Sequence, residues 1–239
     1  MATLSVDPGT RRGSIAHRGL EVSVALGGGG AKGNAHIGVL RSLEQHGFRI
    51  RAIAGTSFGG LVACFYAAGF SPDQIEEMFA RVDQTKMYAR SRLERSSLLG
   101  LTKVDAWLRD TFGEFAFEDM SIPCAVTAVD LRTSREVVIQ KGPVRQAILS
   151  TIALPGIFPT FLSEELELID GGLLNPVPVA LARSLAPSLP VVAVVLNPPL
   201  GEPPHLEPLP RPGVVPARLA ERLVNTRLAR ALQILMRSI

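Results

Sequence analysis

Cysteine, aromatic residues and lysine are all scarce in this chain. Two cysteines, Cys64 and Cys124, are too few for a disulfide framework or for a zinc site of their own, so reduced thiols in a cytoplasmic setting are expected. Aromatic residues make up 5% of the sequence and leave few platforms for stacking bases. The formal net charge is only +3, carried by 21 arginines and four lysines, too small a surplus to indicate a nucleic-acid partner. The longest clean apolar run, Leu61 to Phe70, is ten residues. A membrane-spanning helix needs roughly 20. No group of His, Cys, Asp and Glu has the spacing of metal ligands, and neither a metal nor another cofactor is expected. Arg11-Arg12 precedes an apolar run, as in an export signal. That run, Val22 to Leu26, is interrupted by Ser23, falls short of the roughly 7–15 residues such a signal requires, and has no small-residue cleavage site after it. What is plentiful is apolar surface. With 46% hydrophobic and 20% charged residues over 239 positions, the chain suits one compact domain with a continuous core and excludes a disordered one.

The order of segments then indicates the fold class. Glu21-Val-Ser-Val-Ala-Leu26 is a short β-prone run ending in four glycines, Gly27 to Gly30. Ala31 to Gly47 follows, with Ile37, Leu40 and Leu43 at helical spacing and Gly47 as the stop. Arg51-Ala-Ile-Ala54 is a second strand, entering Gly55-Thr-Ser-Phe-Gly-Gly60 and then a helix, Leu61 to Ala68, apolar on all sides and therefore buried. Strand, glycine turn and helix, twice in succession, predict an α/β fold with a mostly parallel central sheet. Ser71-Pro72-Asp73 opens another helix, with serine as cap and proline at the first helical position. Further helices are expected over 104–112, 143–152 and 177–185, and strands over 122–129, 136–139 and 166–169. Val191 to Leu196, wholly apolar, is expected as a buried parallel strand. Residues 85–97 form a basic stretch, expected as a lid or loop or as a lipid head-group contact. Asn197 to Pro216 holds eight prolines, and Ala217 to Ile239 is an amphipathic helix of net charge +4. The organisation is thus a lead-in over 1–19, a single α/β domain over 20–200, and a proline-rich linker with a basic helix over 201–239.

Gly28-Gly-Gly30-Ala-Lys-Gly33 fits the G-x-G-x-x-G pattern between a strand and a helix, where backbone N–H groups gather around an anion. A dinucleotide site also needs an acidic residue ending the second strand, and that strand ends in Gly55. The Walker pattern fails because Lys32 precedes the last glycine. A tight turn, a nucleotide cradle and an oxyanion hole therefore stay open, the last needing the same amides. Gly55-Thr-Ser57-Phe-Gly59 is a G-x-S-x-G between a strand and an apolar helix, a turn that exposes a serine in a strained position. Such a serine needs a base. His17 and His205 stand in the lead-in and the proline-rich stretch, His46 near an exposed helix end, and only His36 lies close in sequence. Asp170, at a strand end before Gly171-Gly172, is the better candidate.

Glycine cradle, G-T-S-x-G and D-G-G, in this order, resemble the bacterial patatin-like phospholipases. The resemblance extends to Leu26 to Gly38, Tyr66 to Pro72, Ala153-Leu-Pro-Gly-Ile-Phe-Pro159 and Asp170-Gly-Gly-Leu-Leu-Asn-Pro-Val-Pro178, and covers roughly residues 20–200. It implies a three-layer α/β/α domain and a serine–aspartate dyad without histidine. By matching position Ser57 is then the nucleophile, Asp170 the base, and Gly28, Gly29 and Gly30 the oxyanion donors. Lys32, Gly33, Gly55, Gly59, Gly171 and Gly172 support them. It also implies a lipid or acyl-ester substrate, and the basic helix over 217–239 suits peripheral contact of a cytoplasmic protein with the inner membrane face. A catalytically silent scaffold and a nucleotide-binding regulator are the alternatives. Acyl chain length, head group and oligomeric state are not legible.

Overall fold

A computed structural model describes residues 19–82, 87–88, 97–163 and 165–196. The lead-in, most of the basic stretch at 85–97, the proline-rich linker and the C-terminal helix expected above lie outside them, as do His17 and His205. Seven strands form one sheet: β1 (Glu21–Leu26), β2 (Arg49–Thr56), β3 (Cys124–Asp130), β4 (Arg135–Ile139), β5 (Phe161–Leu162), β6 (Glu167–Asp170) and β7 (Val191–Val194). Among the described residues the α-helices that accompany them are α1 (Ala35–Gln45), α2 (Phe58–Ala67), α3 (Pro72–Ala80), α4 (Thr102–Phe112), α5 (Val144–Thr151) and α6 (Val179–Leu185). None of these is long and apolar enough to cross a membrane.

The strands run β7-β1-β2-β3 in parallel, as the repeated strand–turn–helix units predict. Beyond β3 the sheet turns antiparallel, through β4, β6 and β5, so the whole is mixed. From β1 the chain advances through β2 to β3, whereas β7 is added on the other side of β1. Right-handed crossovers then require opposite faces for the helices that precede them. The structure agrees. One face carries α6 against Ala25 and Ala54, and the other carries the main core beneath α1 to α5. The layers are α/β/α.

One expectation changes. Val191 to Leu196 was expected to be buried; it pairs with β1 in parallel, but at the edge of the sheet among the described residues, with Ala193 exposed and Val191 and Val192 half-buried. An apolar run matches a buried strand and an edge strand equally well by periodicity alone.

The register around β3 has the largest consequence. Over Val126 to Asp130, β4 runs along one edge. The other edge is shared in succession. β2 occupies it as far as Thr56, opposite Thr127, and β6 arrives from the other direction and stops at Asp170, opposite Ala128. Two strand ends 114 positions apart in sequence therefore meet head to head.

Local chemistry sets the elements around this junction. α2 is apolar all round, with only Phe58 and Tyr66 not buried, because it lies between the sheet and the outer helices. α3 opens with a complete capping box: Ser71 Oγ accepts from Gln74 N–H at 3.2 Å, and Gln74 Oε1 accepts from Ser71 N–H at 2.8 Å. Phe65, at the centre of α2, is fully buried among Phe70, Phe79, Trp107 and Phe112, with ring centroids 4.8–5.6 Å apart. Phe65→Ala removes the ring on which all four converge. Urea denaturation followed by circular dichroism is expected to show a loss of about 3–5 kcal/mol.

Candidate active site

β2 cannot continue past Thr56, because β6 occupies the next position along β3. The chain leaves the sheet at Ser57, in a left-handed conformation with φ 55° and ψ −127°. For a serine this costs on the order of 1–3 kcal/mol and persists only where the surroundings hold it. The flanking glycines permit the close approach. A Cβ on Gly55 would stand 2.4 Å from the Gly59 carbonyl, and one on Gly59 would stand 2.4 Å from the Leu26 carbonyl. A network of hydroxyls does the holding. Ser57 N–H donates to Thr151 Oγ1 at 2.8 Å, and Thr151 Oγ1 donates to the Thr127 carbonyl at 2.7 Å. Thr56 Oγ1 donates to the Asn175 carbonyl at 2.9 Å and lies 2.7 Å from Thr127 Oγ1.

The serine hydroxyl points at the other strand end. Ser57 Oγ donates to Asp170 Oδ2 at 2.5 Å, while Asp170 Oδ1 accepts from Gly172 N–H at 2.8 Å. Asp170 is 1% exposed, and its hydrogen-bond donors are neutral. Burial raises its pKa to about 6, with the Ser57 hydroxyl and the Gly172 amide pulling in the opposite direction. Gly171 must be glycine, since a Cβ there would stand 2.2 Å from Thr127 Oγ1 and 2.5 Å from the Thr127 carbonyl. A hydroxyl bonded to a carboxylate whose pKa lies near neutrality is an arrangement that can pass a proton from oxygen to oxygen.

The glycine loop leaves β1 beside this pair. Gly27 N–H donates to the Val194 carbonyl at 3.0 Å and Gly28 N–H to the Pro176 carbonyl at 2.8 Å. The Gly28 amide, expected among the oxyanion donors, is thus engaged inside the protein. Gly29 and Gly30 line the cavity in front of Ser57, together with the exposed Lys32. Gly33 lies beneath the Phe58 ring. His36 is fully buried, and its Nε2 donates to the Gly27 carbonyl at 2.7 Å. Its Nδ1 has no hydrogen-bond partner, and burial pushes its pKa down. A neutral ring with its proton committed to Gly27 braces the loop and is not bonded to Ser57. His46, as expected, is exposed at a helix end and bonds back to Ser42.

The cavity has a volume of about 380 Å³. Gly29 and Gly30 and the polar residues Ser57, Asp170, Lys32 and Tyr88 line it together with apolar side chains that include Phe58, Leu61, Phe79, Trp107, Leu154 and Phe158. Phe79 packs edge-on to Phe58 at 5.8 Å, and Trp107 in turn on Phe79 at 5.7 Å, so the aromatic wall leads away from the serine. No group of His, Cys, Asp and Glu among the described residues is placed to hold a metal ion. Ser57, Asp170 and the glycine loop, singled out in the sequence, lie together at this cavity, whereas Thr127 and Thr151 were not singled out. The one signal was a pair of hydroxyl residues, Ser150-Thr151, closing a helix whose core-facing side is apolar.

Comparison with known proteins follows the same residues. The model of the patatin-like phospholipase family matches residues 24–183. An uncharacterized NTE family protein of Mycobacterium tuberculosis is 35% identical over 198 residues, covering 78% of this chain and 51% of the relative. Lysophospholipase NTE1 of Mycosarcoma maydis is 32% identical over 178 residues, covering 70% of this chain and 9% of the relative. The chain thus spans about half the length of the mycobacterial relative and a small part of the fungal one. Among solved structures, VipD from Legionella pneumophila superimposes with a TM-score of 0.52 at 13% identity, covering 65% of this chain and 46% of that one. At that identity the likeness is one of fold.

The electrostatics make a prediction independent of any reaction. In carboxyl-carbon NMR, Asp170 is expected to titrate near pH 6. Ser57→Ala removes a hydrogen bond that favours the charged form, so the midpoint should move higher. A midpoint in the ordinary carboxylate range would mean that water reaches the group.

Proposed function

The chain belongs to the patatin-like phospholipase family, and we propose that it hydrolyses lipid acyl esters with Ser57 as nucleophile and Asp170 as base. The observation that carries this reading is the 2.5 Å hydrogen bond from Ser57 Oγ to Asp170 Oδ2 beside an apolar cavity. Ser57 Oγ attacks the ester carbonyl carbon while its proton passes to Asp170. The oxyanion that forms is met by the amides of Gly29 and Gly30, which border the cavity, whereas the Gly28 amide remains with Pro176. The tetrahedral intermediate collapses, the ester C–O bond breaks, and Asp170 returns the proton to the departing alcohol oxygen. Water then attacks the acyl-enzyme carbonyl with Asp170 again as base, the bond from the acyl carbon to Ser57 Oγ breaks, Asp170 returns the proton to Ser57 Oγ, and the fatty acid leaves.

Two features support an acyl chain as the occupant of the cavity. Its walls are largely apolar and aromatic, the environment in which each buried methylene contributes about 0.8 kcal/mol. Among the described lining residues Lys32 is the lone cation, which gives little support to a nucleotide with several phosphates. A raised aspartate pKa suits the chemistry, because a base works best when its pKa lies close to the working pH.

The test is intact mass after treatment with a fluorophosphonate. One adduct is expected on the native chain and none on Ser57→Ala. Asp170→Asn is expected to remain folded and to lose about 10²–10⁴-fold in turnover of a p-nitrophenyl ester. For the native chain, kcat/KM should rise with pH through about 6, because the carboxylate form is the base, and level off above it. An unlabelled but folded native chain would instead identify a catalytically silent scaffold. The cavity makes a second prediction. Trp107→Ala opens the aromatic wall away from the serine and should favour longer acyl chains. The gain in kcat/KM is expected to reach about fourfold for each methylene that enters the vacated space, read from a series of p-nitrophenyl esters of increasing length.

A further inference from the structure

The geometry points to Thr151 as the positioning residue that holds Ser57 in its reactive conformation and ties the serine's turn to the aspartate's. The inference rests on Ser57 being the nucleophile and concerns how that nucleophile is kept in place. Ser57 stands at φ 55°, where a residue with a side chain rarely rests. Its amide is the first N–H of the turn out of β2, and the acceptor it finds is a side chain from α5, Thr151 Oγ1 at 2.8 Å.

The hydrogen-bonding inventory of a hydroxyl fixes the direction of each bond. A threonine hydroxyl has one proton to give. That proton goes to the Thr127 carbonyl at 2.7 Å, so a lone pair of the same oxygen is what receives the Ser57 N–H. Thr151 is fully buried, and water has no ready way to substitute for it. Its methyl is also placed close to the start of α2, since a Cβ on Gly60 would stand 2.9 Å from Thr151 Cγ2.

The other end of this bridge is the seat of the aspartate. Thr127 is the residue opposite which β2 ends, and Gly171 packs against its carbonyl and hydroxyl. Asp170, one residue before Gly171, pairs with Ala128. The Thr151 hydroxyl therefore spans from the Ser57 amide to the strand that carries the Asp170–Gly171 turn. Without it, Ser57 N–H and one lone pair of Thr127 lose their partners, and the strained turn is free to relax away from Asp170 Oδ2. Only the direction of the serine oxygen changes; the cavity walls that hold an acyl chain do not depend on this bond. The effect should accordingly fall on kcat and not on KM.

Thr151→Val keeps the shape and removes the hydroxyl. It is expected to slow fluorophosphonate labelling and kcat for a p-nitrophenyl ester by roughly 100-fold, the scale of a misplaced reacting group, with KM near the native value. Thr151→Ser, which restores the hydroxyl alone, should recover most of the loss. Ser23→Ala is the control for stability. It removes a buried hydroxyl bonded to the Ala182 carbonyl at 2.7 Å on the opposite face of the sheet, and should lower the thermal midpoint while leaving kcat unchanged. Should the valine variant not fold, Thr151→Cys, with a weaker acceptor in similar volume, is expected to fall between serine and valine. Native rates in the valine or cysteine variant would overturn the role of Thr151 and leave Ser57 as nucleophile. So would a serine variant as slow as valine, or an equal loss in Ser23→Ala. A native chain that takes up no label would remove the nucleophile itself, and the positioning role with it.

Discussion

Two strands that run toward each other along one edge of a third have to stop before they collide, and here the stopping points are Thr56 and Asp170 on the edge of β3. Everything at the site depends on that junction. Backbone pairing, and not a side-chain preference, brings the ends within hydrogen-bond reach, so both residues are placed by the sheet itself. The chain must then leave the sheet at once. After β2 it does so through Ser57 in the left-handed region, and after β6 through Gly171 pressed on Thr127. The strain at Ser57 is the local counterpart of a pairing that is favourable over the whole of β3.

The junction also decides the electrostatics. Asp170 meets an N–H and an O–H and no cation among its hydrogen-bond donors, and desolvation outweighs them. An arginine in place of either donor would have favoured the charged form and drawn the pKa down. Asp130, at the end of β3, shows the other outcome. The Thr133 hydroxyl and the amides of Arg132 and Glu167 surround it, and its pKa is held below the usual carboxylate value. Two aspartates at strand ends, joined by the same pair of strands, are tuned in opposite directions: donors outweigh desolvation at Asp130, and desolvation outweighs donors at Asp170.

Much of this was legible in the sequence because it is local. Strand, glycine turn and helix follow each other within a few residues, and G-x-S-x-G marks a strained turn wherever it links a strand to an apolar helix. The capping box at Ser71 and the all-apolar α2 are local in the same sense. Asp170 was legible as a carboxylate at a strand end, but its proximity to Ser57 depends on a register set 113 residues away. Thr151 left only the hydroxyl pair Ser150-Thr151 as a trace, since a threonine in a buried helix turn has no role to read until its partner strand is known. The edge position of β7 and the engagement of the Gly28 amide escaped for the same reason: each is decided by a segment far along the chain.

That engagement is better understood as preorganisation than as the loss of a donor. The glycine loop has no side chains to pack, and free in solution it would sample many conformations. Three bonds limit it here: Gly27 N–H to Val194, Gly28 N–H to Pro176, and the Gly27 carbonyl to His36. The first two tie the loop to β7 and to the segment after Asp170, and the third ties it to α1. His36 serves this purpose only while neutral. A proton on its second nitrogen would put an unpaired charge in the core, and burial opposes that by lowering its pKa. Under the proposed hydrolysis, amides fixed in this way would meet a developing charge without first having to reorganise. By giving up the Gly28 amide to hold the loop still, the fold leaves Gly29 and Gly30 in a definite place at the edge of the cavity, beside a serine whose own position is equally constrained.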